Sequence, residues 1–248
     1  MKNIVIFSLI LQVTSLAQNY EKLPSTIPVC SRNHPKLSDC ILNSVKILQP
    51  RLVNGDLGSG LQVPSLEPLH ISEISYGENN GLKIHLLNLK IHGTSKFKIE
   101  KFRVNFKDLK MDIILHLPRL ELTGQYRLKF KFFNQLIDND GDYMATFENS
   151  QIRASMKAHR YLKNGVEYAK IDPLDIKFNR GKITNFRLKN LFSENPLMNE
   201  IVHSLITNSP DYMTKNIQPK VNAVFSKIAT EIAGKILEGY PLEELFPY

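Results

Sequence analysis

The stretch LKMDIILHLPRLELTGQYRLKFKF, residues 109–132, decides the fold class of this chain. Apolar residues occupy every second position from Leu109 to Leu117, and the same spacing returns at Leu120 and from Tyr126 to Phe132. A period of two predicts β-strand, because successive side chains of a strand point to opposite faces. The intervening positions are mainly Lys, Arg, Asp and His. One face therefore meets solvent, which favours an antiparallel sheet.

The alternation extends outward to Leu69 on one side and Leu191 on the other. Further sets with the same spacing are Leu82/Ile84/Leu86, Leu87/Leu89/Ile91, Phe102/Val104/Phe106 and Ile152/Ala154/Met156/Ala158. Elsewhere the alternation slips by one residue, as between Ile99 and Phe102, which are three residues apart instead of two. Such slips need bulges, which bend strands, so they predict a strongly curved sheet. The segment DNDG at residues 138–141 and the pair Asn164-Gly165 predict turns between strands.

Helical patterns flank the strands. Apolar residues from Leu37 to Leu52 follow a helical spacing. Pro50 predicts a kink or a helix end near Gln49, and Gly55 predicts the end of any remaining helix. Asn195-Pro196 predicts a helix start, and Pro219 predicts the start of a longer C-terminal helix. The apolar face of that helix comprises Val221, Val224, Phe225, Ile228, Ile232, Ile236 and Leu237. The order of helix, strands and helices predicts an α+β domain in which the curved sheet buries its inner face against the last helix.

The N-terminus has the pattern of a secretory signal peptide. Lys2 precedes an apolar run over residues 4–11, and Ser15-Leu16-Ala17 provides a small-residue cleavage site. We therefore expect a signal peptide over residues 1–17 and a single domain over residues 18–248. The apolar run is too short to span a bilayer, so no stable membrane insertion is expected. Cys30 and Cys40 are the only cysteines, and in a secreted chain they are expected to pair.

Nothing in the sequence calls for catalysis, a metal or a cofactor. The seven histidines show no metal-ligand spacing, and neither a nucleotide-binding glycine motif nor a nucleophile elbow occurs. The net charge is +8, but Lys and Arg alternate with apolar residues between Lys96 and Lys110. This pattern is typical of the solvated face of a sheet and does not point to nucleic acid. An alternative function remains, in which this basic face binds a membrane surface or anionic lipid.

One helix rarely fills a large curved sheet, so the apolar excess predicts either an internal tunnel for a lipid-like ligand or a fully packed core. The pattern alone does not decide between them. For a tunnel, the expected lining residues are Phe102, Val104, Phe106, Tyr126, Leu128, Phe130, Val224, Phe225 and Ile228. Tyr126 or a neighbouring Tyr is the candidate for orienting an ester or carboxylate end of the ligand.

Four segments resemble the insect takeout and juvenile-hormone-binding protein family. They are the cysteine pair with its flanks from Val29 to Ile41, GSGLQVPSLEPLHI at residues 58–71, NLFSENPLMNEI at residues 190–201, and YPLEELFP at residues 240–247. The resemblance covers nearly the whole of residues 18–248 in order and spacing. The presence of only two cysteines is nearer to the takeout branch of the family than to its dedicated hormone carriers.

The resemblance implies a long C-terminal helix wrapped by a curved antiparallel sheet of the tubular lipid-binding type, with a short N-terminal helix. It also implies a secreted, non-enzymatic, monomeric carrier of the haemolymph. The implied ligand is a small hydrophobic molecule, such as a juvenile-hormone-like terpenoid or a fatty acid, held in an apolar tunnel. The resemblance therefore favours the tunnel over the packed core and leaves the identity of the ligand open.

Overall fold

A computed structural model of the chain describes residues 22–77, 83–132, 135–189, 200 and 217–248. The predicted signal peptide lies outside these ranges, and so does all of the predicted helix at Asn195 except residue 200. The described elements are α1 (Leu37–Leu52), β1 (Leu69–Gly77), β2 (Lys83–His92), β3 (Lys98–Asn105), β4 (Lys110–Phe132), β5 (Gln135–Lys163), β6 (Val166–Ile171), β7 (Asp175–Asn179), β8 (Lys182–Leu188), α2 (Gln218–Leu237) and α3 (Leu242–Leu245). The α+β prediction is confirmed.

Two long strands form the centre of the sheet. Strand β4 has 23 residues and β5 has 29 residues, and they pair antiparallel from Lys110 opposite Lys157 to Phe132 opposite Gln135. Along its other side β4 pairs first with β3 and then with β2, which in turn pairs with β1. Strand β5 pairs with β8, β7 and β6 in succession along its length. All of these pairings are antiparallel, so this prediction is also confirmed.

In both central strands, the alternation of inward-facing and outward-facing side chains shifts by one residue at the same place. Leu117 and Leu120 of β4 are both buried although they are three residues apart. Opposite them, Asn149 of β5 has a positive φ of 57°. At this point Gly93 packs so closely on β4 that a Cβ atom there would lie 2.2 Å from the Arg119 carbonyl oxygen. We call this cross-section of the two long strands the bend. The slips that the sequence showed correspond to register shifts in the neighbouring strands, between Leu87 and Lys90 of β2 and between Ile99 and Lys101 of β3.

Helix α2 lies across the concave side and joins the two edges of the sheet. It contacts β1 at one edge and β6 and β7 at the other. Its side chains also satisfy free main-chain amides at the second edge: Asn222 Oδ1 accepts from Phe178 N at 3.0 Å, and Thr230 Oγ1 accepts from Leu174 N at 2.9 Å. Edge amides without a strand partner need such acceptors. The helix therefore closes the curved sheet through hydrogen bonds as well as apolar contacts.

The bend divides the interior into two halves. We define the packed half as β4 from Leu120 onward, its partners in β5, and β1, β2 and β8. We define the open half as residues 111–117 of β4 and residues 150–156 of β5, together with β3 and β7. The buried core of the packed half includes Ile71, Ile74, Leu89, Leu120, Tyr126, Leu128 and Tyr143.

Helix α2 spans both halves with side chains of different size. Val221, Val224, Phe225 and Ile228 pack on a buried cluster that contains the core of the packed half and extends to Leu117 and Phe178 of the open half. Toward its C-terminal end the same helix presents Ala229 and Ala233 to the open half, alongside Phe225 and Leu237. None of the residues of α2 is fully buried. The interior around the second half of the helix is therefore incompletely filled.

One local prediction is wrong. Residues 138–141 lie within β5 and not in a turn, and Asp138 forms an ion pair with Lys129 at 2.9 Å on the paired strand. Asp is rare in strands, and the ion pair with Lys129 on the neighbouring strand offsets this low strand propensity. Of the two alternatives at Pro50, the structure excludes a helix end near Gln49, because α1 continues through Pro50 to Leu52. The turn at Asn164-Gly165 is confirmed, with positive φ values of 53° and 79°.

Candidate functional site

A cavity of about 360 Å³ lies in the open half. The inner face of the sheet contributes Met111, Ile113, Leu115, Leu117, Ile152, Ala154 and Met156. Helix α2 contributes Phe225, Ile228, Ala229, Ile232, Ala233, Ile236 and Leu237. Helix α1 contributes Ile41, Ser44, Val45, Leu48 and Leu52. The cavity is therefore enclosed by the sheet and both long helices.

The size of a few side chains accounts for the empty space. Ala154 of β5 and Ala229 and Ala233 of α2 line the cavity and belong to one apolar cluster. Each alanine leaves room that Leu or Phe would occupy at the same position. Because protein interiors are normally filled to crystal-like density, a cavity of this size between helix and sheet is a specific feature of this half of the molecule.

The wall offers no free hydroxyl, amide or charged side chain among the described residues. Its only side chains with an oxygen or nitrogen atom are those of Ser44 and Thr94. Ser44 Oγ donates to the Cys40 carbonyl oxygen at 3.3 Å, and Thr94 Oγ1 donates to the Leu66 carbonyl oxygen. Both hydroxyls are therefore already paired with the main chain. The wall can remove apolar surface from water but presents no charge to a ligand.

The disulfide lies at the wall of the cavity. Cys30 and Cys40 are bonded, with an S–S distance of 2.01 Å and a Cα–Cα distance of 6.0 Å. Cys30 lines the cavity, as do its neighbours Pro28 and Val29. Val29 is also 46% exposed. A residue that contacts both the cavity and solvent marks a mouth beside the disulfide.

The C-terminal segment lies at the same end of the cavity, against the disulfide loop. Leu245 and Phe246 line the cavity. Arg32, within the disulfide loop, holds this segment: its Nε donates to the Phe246 carbonyl oxygen at 2.8 Å and its main-chain N donates to the Pro247 carbonyl oxygen at 2.8 Å. Its guanidinium also lies 4.1 Å from the centroid of the Tyr248 ring. Hydrogen bonds and cation–π contacts thus tie the C-terminal segment to the disulfide loop.

Two of the nine side chains that the sequence suggested lie at the cavity, Phe225 and Ile228. Tyr126, Leu128 and Val224 instead belong to the packed half. The hydroxyl of Tyr126 lies 2.8 Å from both Asn139 Oδ1 and the Lys189 carbonyl oxygen. Burial, with a smaller contribution from the charge of Asp140, raises the pKa of Tyr126 to about 12. This neutral hydroxyl holds the packed half together and does not face the cavity.

The remaining suggested side chains flank the cavity or lie beyond it. Phe102 and Val104 pair in register with Ile113 and Met111, but α1 lies beside β3 there, and Val104 N donates to Ser38 Oγ at 3.2 Å. Phe106 packs on Phe246, with ring centroids 5.0 Å apart. The side chain of Phe130 lies outside what the structure describes.

Sequence reasoning did not identify the contributions of α1 and the disulfide loop. Ile41, Val45 and Leu48 are spaced along one face of a helix, which indicates that the face is buried but not what it covers. The cavity-lining strand positions Met111, Ile113, Leu115 and Leu117 did stand out as an alternating set. The spacing of three residues between Leu117 and Leu120 indicated that the alternation of inward-facing side chains shifts by one residue after Leu117.

Other kinds of site are not apparent in the described residues. Over residues 22–77, 83–132, 135–189, 200 and 217–248, no group of three or more His, Cys, Asp or Glu side chains is placed to hold a metal ion. None of the helices described is long and apolar enough to cross a membrane.

Comparisons with known proteins agree with this architecture. The sequence profile of the haemolymph juvenile hormone binding protein family matches residues 6–247. The circadian clock-controlled protein daywake of Drosophila yakuba is 25% identical over 203 residues, which is 75% of this chain and 75% of that protein. Daywake of Drosophila melanogaster is 22% identical over 239 residues, covering 91% of this chain and 89% of that protein.

A solved structure shares the fold. Takeout 1 of Epiphyas postvittana superposes with a TM-score of 0.71 at 20% identity, over 89% of this chain and 99% of that one. Its likeness supports the arrangement of a curved antiparallel sheet around a C-terminal helix. With the profile match over almost the whole chain, these findings show that the chain belongs to the haemolymph juvenile hormone binding protein family, which includes the takeout proteins and binds small hydrophobic ligands.

Proposed function

We propose that the mature chain, residues 18–248, is secreted and carries one small apolar lipid in the cavity of the open half. The observation that carries this proposal is the cavity itself, whose wall is apolar on the sheet, on both helices and at the C-terminal segment. Burying hydrocarbon there contributes about 25 cal/mol per Å² of surface removed from water. Membership of a family of hydrophobic-ligand binders supports the same function.

The size of the cavity supports a single small ligand. Its volume of about 360 Å³ lies near the lower end of the roughly 300–1,000 Å³ of small-molecule sites. One terpenoid or one single-chain lipid is therefore a better match than a lipid with two long chains. The binding residues that we propose from the sequence set are Phe225 and Ile228, joined by Ile113, Leu115 and Ile152 on the facing strands.

The chemistry of the wall suggests how a ligand lies. Because Ser44 and Thr94 already donate to main-chain carbonyls, a polar group deep in the cavity would lose its hydrogen bonds to water without replacement. We infer that the hydrocarbon part lies inside and that any polar end points to the mouth at Val29. Selection among ligands then depends on length and shape.

Carriage is better supported than the alternatives. A catalytic function has no supporting constellation in the described residues, and the family consists of binding proteins. Binding of anionic lipid through the basic face of the sheet has weaker support, because acidic groups interrupt that face: Arg103 pairs in register with Asp112, and Glu100 accepts a hydrogen bond from Gln151.

Native mass spectrometry tests the proposal. The full chain would be expressed in insect cells and recovered from the medium, where we expect an N-terminus at Gln18. We expect a complex of one chain with one lipid, and solvent extraction would then identify that lipid. A protein that is empty, and that takes up none of a panel of terpenoids, fatty acids and their methyl esters, would contradict the carrier function. Retention inside the cells would contradict secretion separately.

A further inference from the structure

Exposed apolar side chains gather at one end of the molecule. Among the described residues, seven large hydrophobic side chains are strongly exposed. Four of them lie around the mouth of the cavity or on the neighbouring β5–β6 hairpin: Val29 at 46%, Tyr161 at 40%, Leu162 at 75% and Tyr248 at 79% exposure. Single exposed apolar residues are ordinary, whereas a group of them at one end suggests an interaction surface.

A chain of ring and guanidinium contacts connects this group to the cavity. Arg32 lies over the ring of Tyr248 and, on another side, 5.6 Å from the centroid of Phe106. Arg160 of β5 lies 5.3 Å from the same Phe106 ring. Phe106 in turn packs on Phe246, which lines the cavity. The hairpin, the C-terminus and the mouth therefore form one continuous surface.

Leu162 continues the row of cavity-lining residues on β5. Ile152, Ala154 and Met156 line the cavity, and every second residue after them leads through Ala158 and Arg160 to Leu162. Beyond Lys157, β5 no longer pairs with β4 and pairs only with β6. The hairpin therefore continues beyond the β4–β5 pairing. Leu162 lies on the same face of β5 as Arg160, which precedes it by two residues and contacts the Phe106 ring.

The charges around this hairpin suit an anionic partner. Residues 105–110 and 157–172 together contain six Lys or Arg residues and three Asp or Glu residues. Glu167 pairs with Arg160 at 3.4 Å and Asp172 with His159 at 3.0 Å, whereas the tip at residues 161–166 contains Lys163 and no acidic residue. At the tip, Lys163 Nζ lies 5.9 Å from the centroid of Tyr168, which stacks on Tyr161 at 5.8 Å. Tyr168 is buried, whereas Tyr161 and Leu162 are exposed. An exposed aromatic ring, an exposed leucine and a long basic side chain together are typical of segments that lie in the headgroup region of a membrane.

We propose that the tip of the β5–β6 hairpin, residues 161–166, docks transiently on an anionic phospholipid surface. Leu162 enters the boundary between headgroups and acyl chains, and Lys163 contacts the headgroups. The mouth beside Val29 and Tyr248 then faces the membrane, so that an apolar ligand passes between bilayer and cavity with little exposure to water. Ligand transfer rests on the proposed carrier function, whereas docking itself does not.

Vesicle sedimentation of the full secreted chain tests the docking. The probes are vesicles of phosphatidylcholine and phosphatidylserine at about a 4:1 ratio, which supplies the anionic surface, and vesicles of phosphatidylcholine alone. Leu162→Gln is expected to weaken binding to the mixed vesicles about tenfold, from the loss of one buried leucine side chain. Leu136→Gln is the matched control, because Leu136 is 62% exposed near the opposite end of β5. It is expected to bind as the wild type does.

A charge variant separates the electrostatic contribution of Lys163 from the apolar contribution of Leu162. Lys163→Gln is expected to weaken binding to mixed vesicles roughly fivefold, while leaving binding to phosphatidylcholine alone unchanged. No binding by the wild type, or equal losses in Leu162→Gln and Leu136→Gln, would overturn the proposal. Self-association that Leu162→Gln abolishes while vesicle binding is unchanged would assign the tip to a second copy of the chain instead. A protein that carries lipid but ignores vesicles refutes docking alone, and one that docks but stays empty refutes carriage alone.

Discussion

The packed half and the open half are built from the same two long strands and the same helix, but only one of them is filled. In the packed half, Leu120, Tyr126 and Leu128 of β4 form a buried core that contacts Val221 and Val224 of α2. In the open half, a cavity of about 360 Å³ separates the sheet from the second part of the helix. The change occurs at the bend where Asn149 has a positive φ.

The difference shows how one fold can combine stability with a binding site. In the packed half, the core of the sheet contacts Val221 and Val224 of the helix. Past the bend, Ala229 and Ala233 leave the space open. We expect the packed half to supply most of the stability and the open half to supply ligand contacts.

The largest expected contrast is between two leucines of β4. Leu120 is 1% exposed in the packed half, and Leu120→Ala should lower the free energy of unfolding by about 3–4 kcal/mol, because the new cavity cannot collapse. Leu115→Ala, at the cavity wall, should cost about 1–2 kcal/mol, because fewer atomic contacts are lost there. Urea unfolding of delipidated protein measures both values. Equal costs would contradict the division into two halves.

Removing the disulfide should have the next largest effect. Cys30 and Cys40 are 10 residues apart in sequence, and the double variant Cys30→Ser/Cys40→Ser should lose about 2–3 kcal/mol through the greater entropy of the unfolded chain. Because Arg32 of this loop binds the C-terminal segment, amide exchange of residues 242–248 should also become faster. Unchanged exchange there would show that the disulfide loop does not hold the mouth.

A buried hydroxyl in the packed half offers a stabilising change. Tyr143 is 5% exposed, and its hydroxyl has no hydrogen-bond partner among the described residues. Burial raises the pKa of Tyr143, so the hydroxyl stays neutral. Tyr143→Phe should raise the free energy of unfolding by about 1 kcal/mol, because the cost of an unpaired buried hydroxyl disappears. A loss of stability in urea unfolding would reveal a partner for this hydroxyl.

An effect of similar size, which depends on pH, is expected at Glu67, near the bend. Burial alone would raise its pKa, but hydrogen bonds from Gly93 N, Ser95 and His92 together hold the pKa of this carboxyl below its ordinary value of 4.5. A lowered pKa in the folded state adds stability above the ordinary value, and this stability is lost as the pH falls through the folded-state pKa. Glu67→Gln should therefore cost about 1 kcal/mol at neutral pH, with the difference shrinking below pH 4.5. A difference independent of pH, measured by urea unfolding across this range, would contradict this role.

Much of the fold could be predicted from periodicity. The alternation through Met111, Ile113 and Leu115 identified the central strand, and the spacing from Val221 to Leu237 identified the long helix. The spacing of apolar residues along a strand shows which side of the strand is apolar, but not which element packs against that side. Phe102 and Val104 lie on the strand beside α1, and Leu128 lies in the packed core. Their absence from the cavity wall depends on tertiary packing across the sheet, which spacing does not encode.

Filling the cavity tests the central claim most directly. Ala229→Phe places a ring in the cavity, whereas Ala223→Phe places the same ring on the exposed side of the same helix. Fluorescence titration of delipidated protein with the neutral probe N-phenyl-1-naphthylamine should give one site in the wild type and in Ala223→Phe. Ala229→Phe should bind the probe at least about tenfold more weakly, with thermal stability retained. Equal binding by all three proteins would contradict a ligand site in the open half.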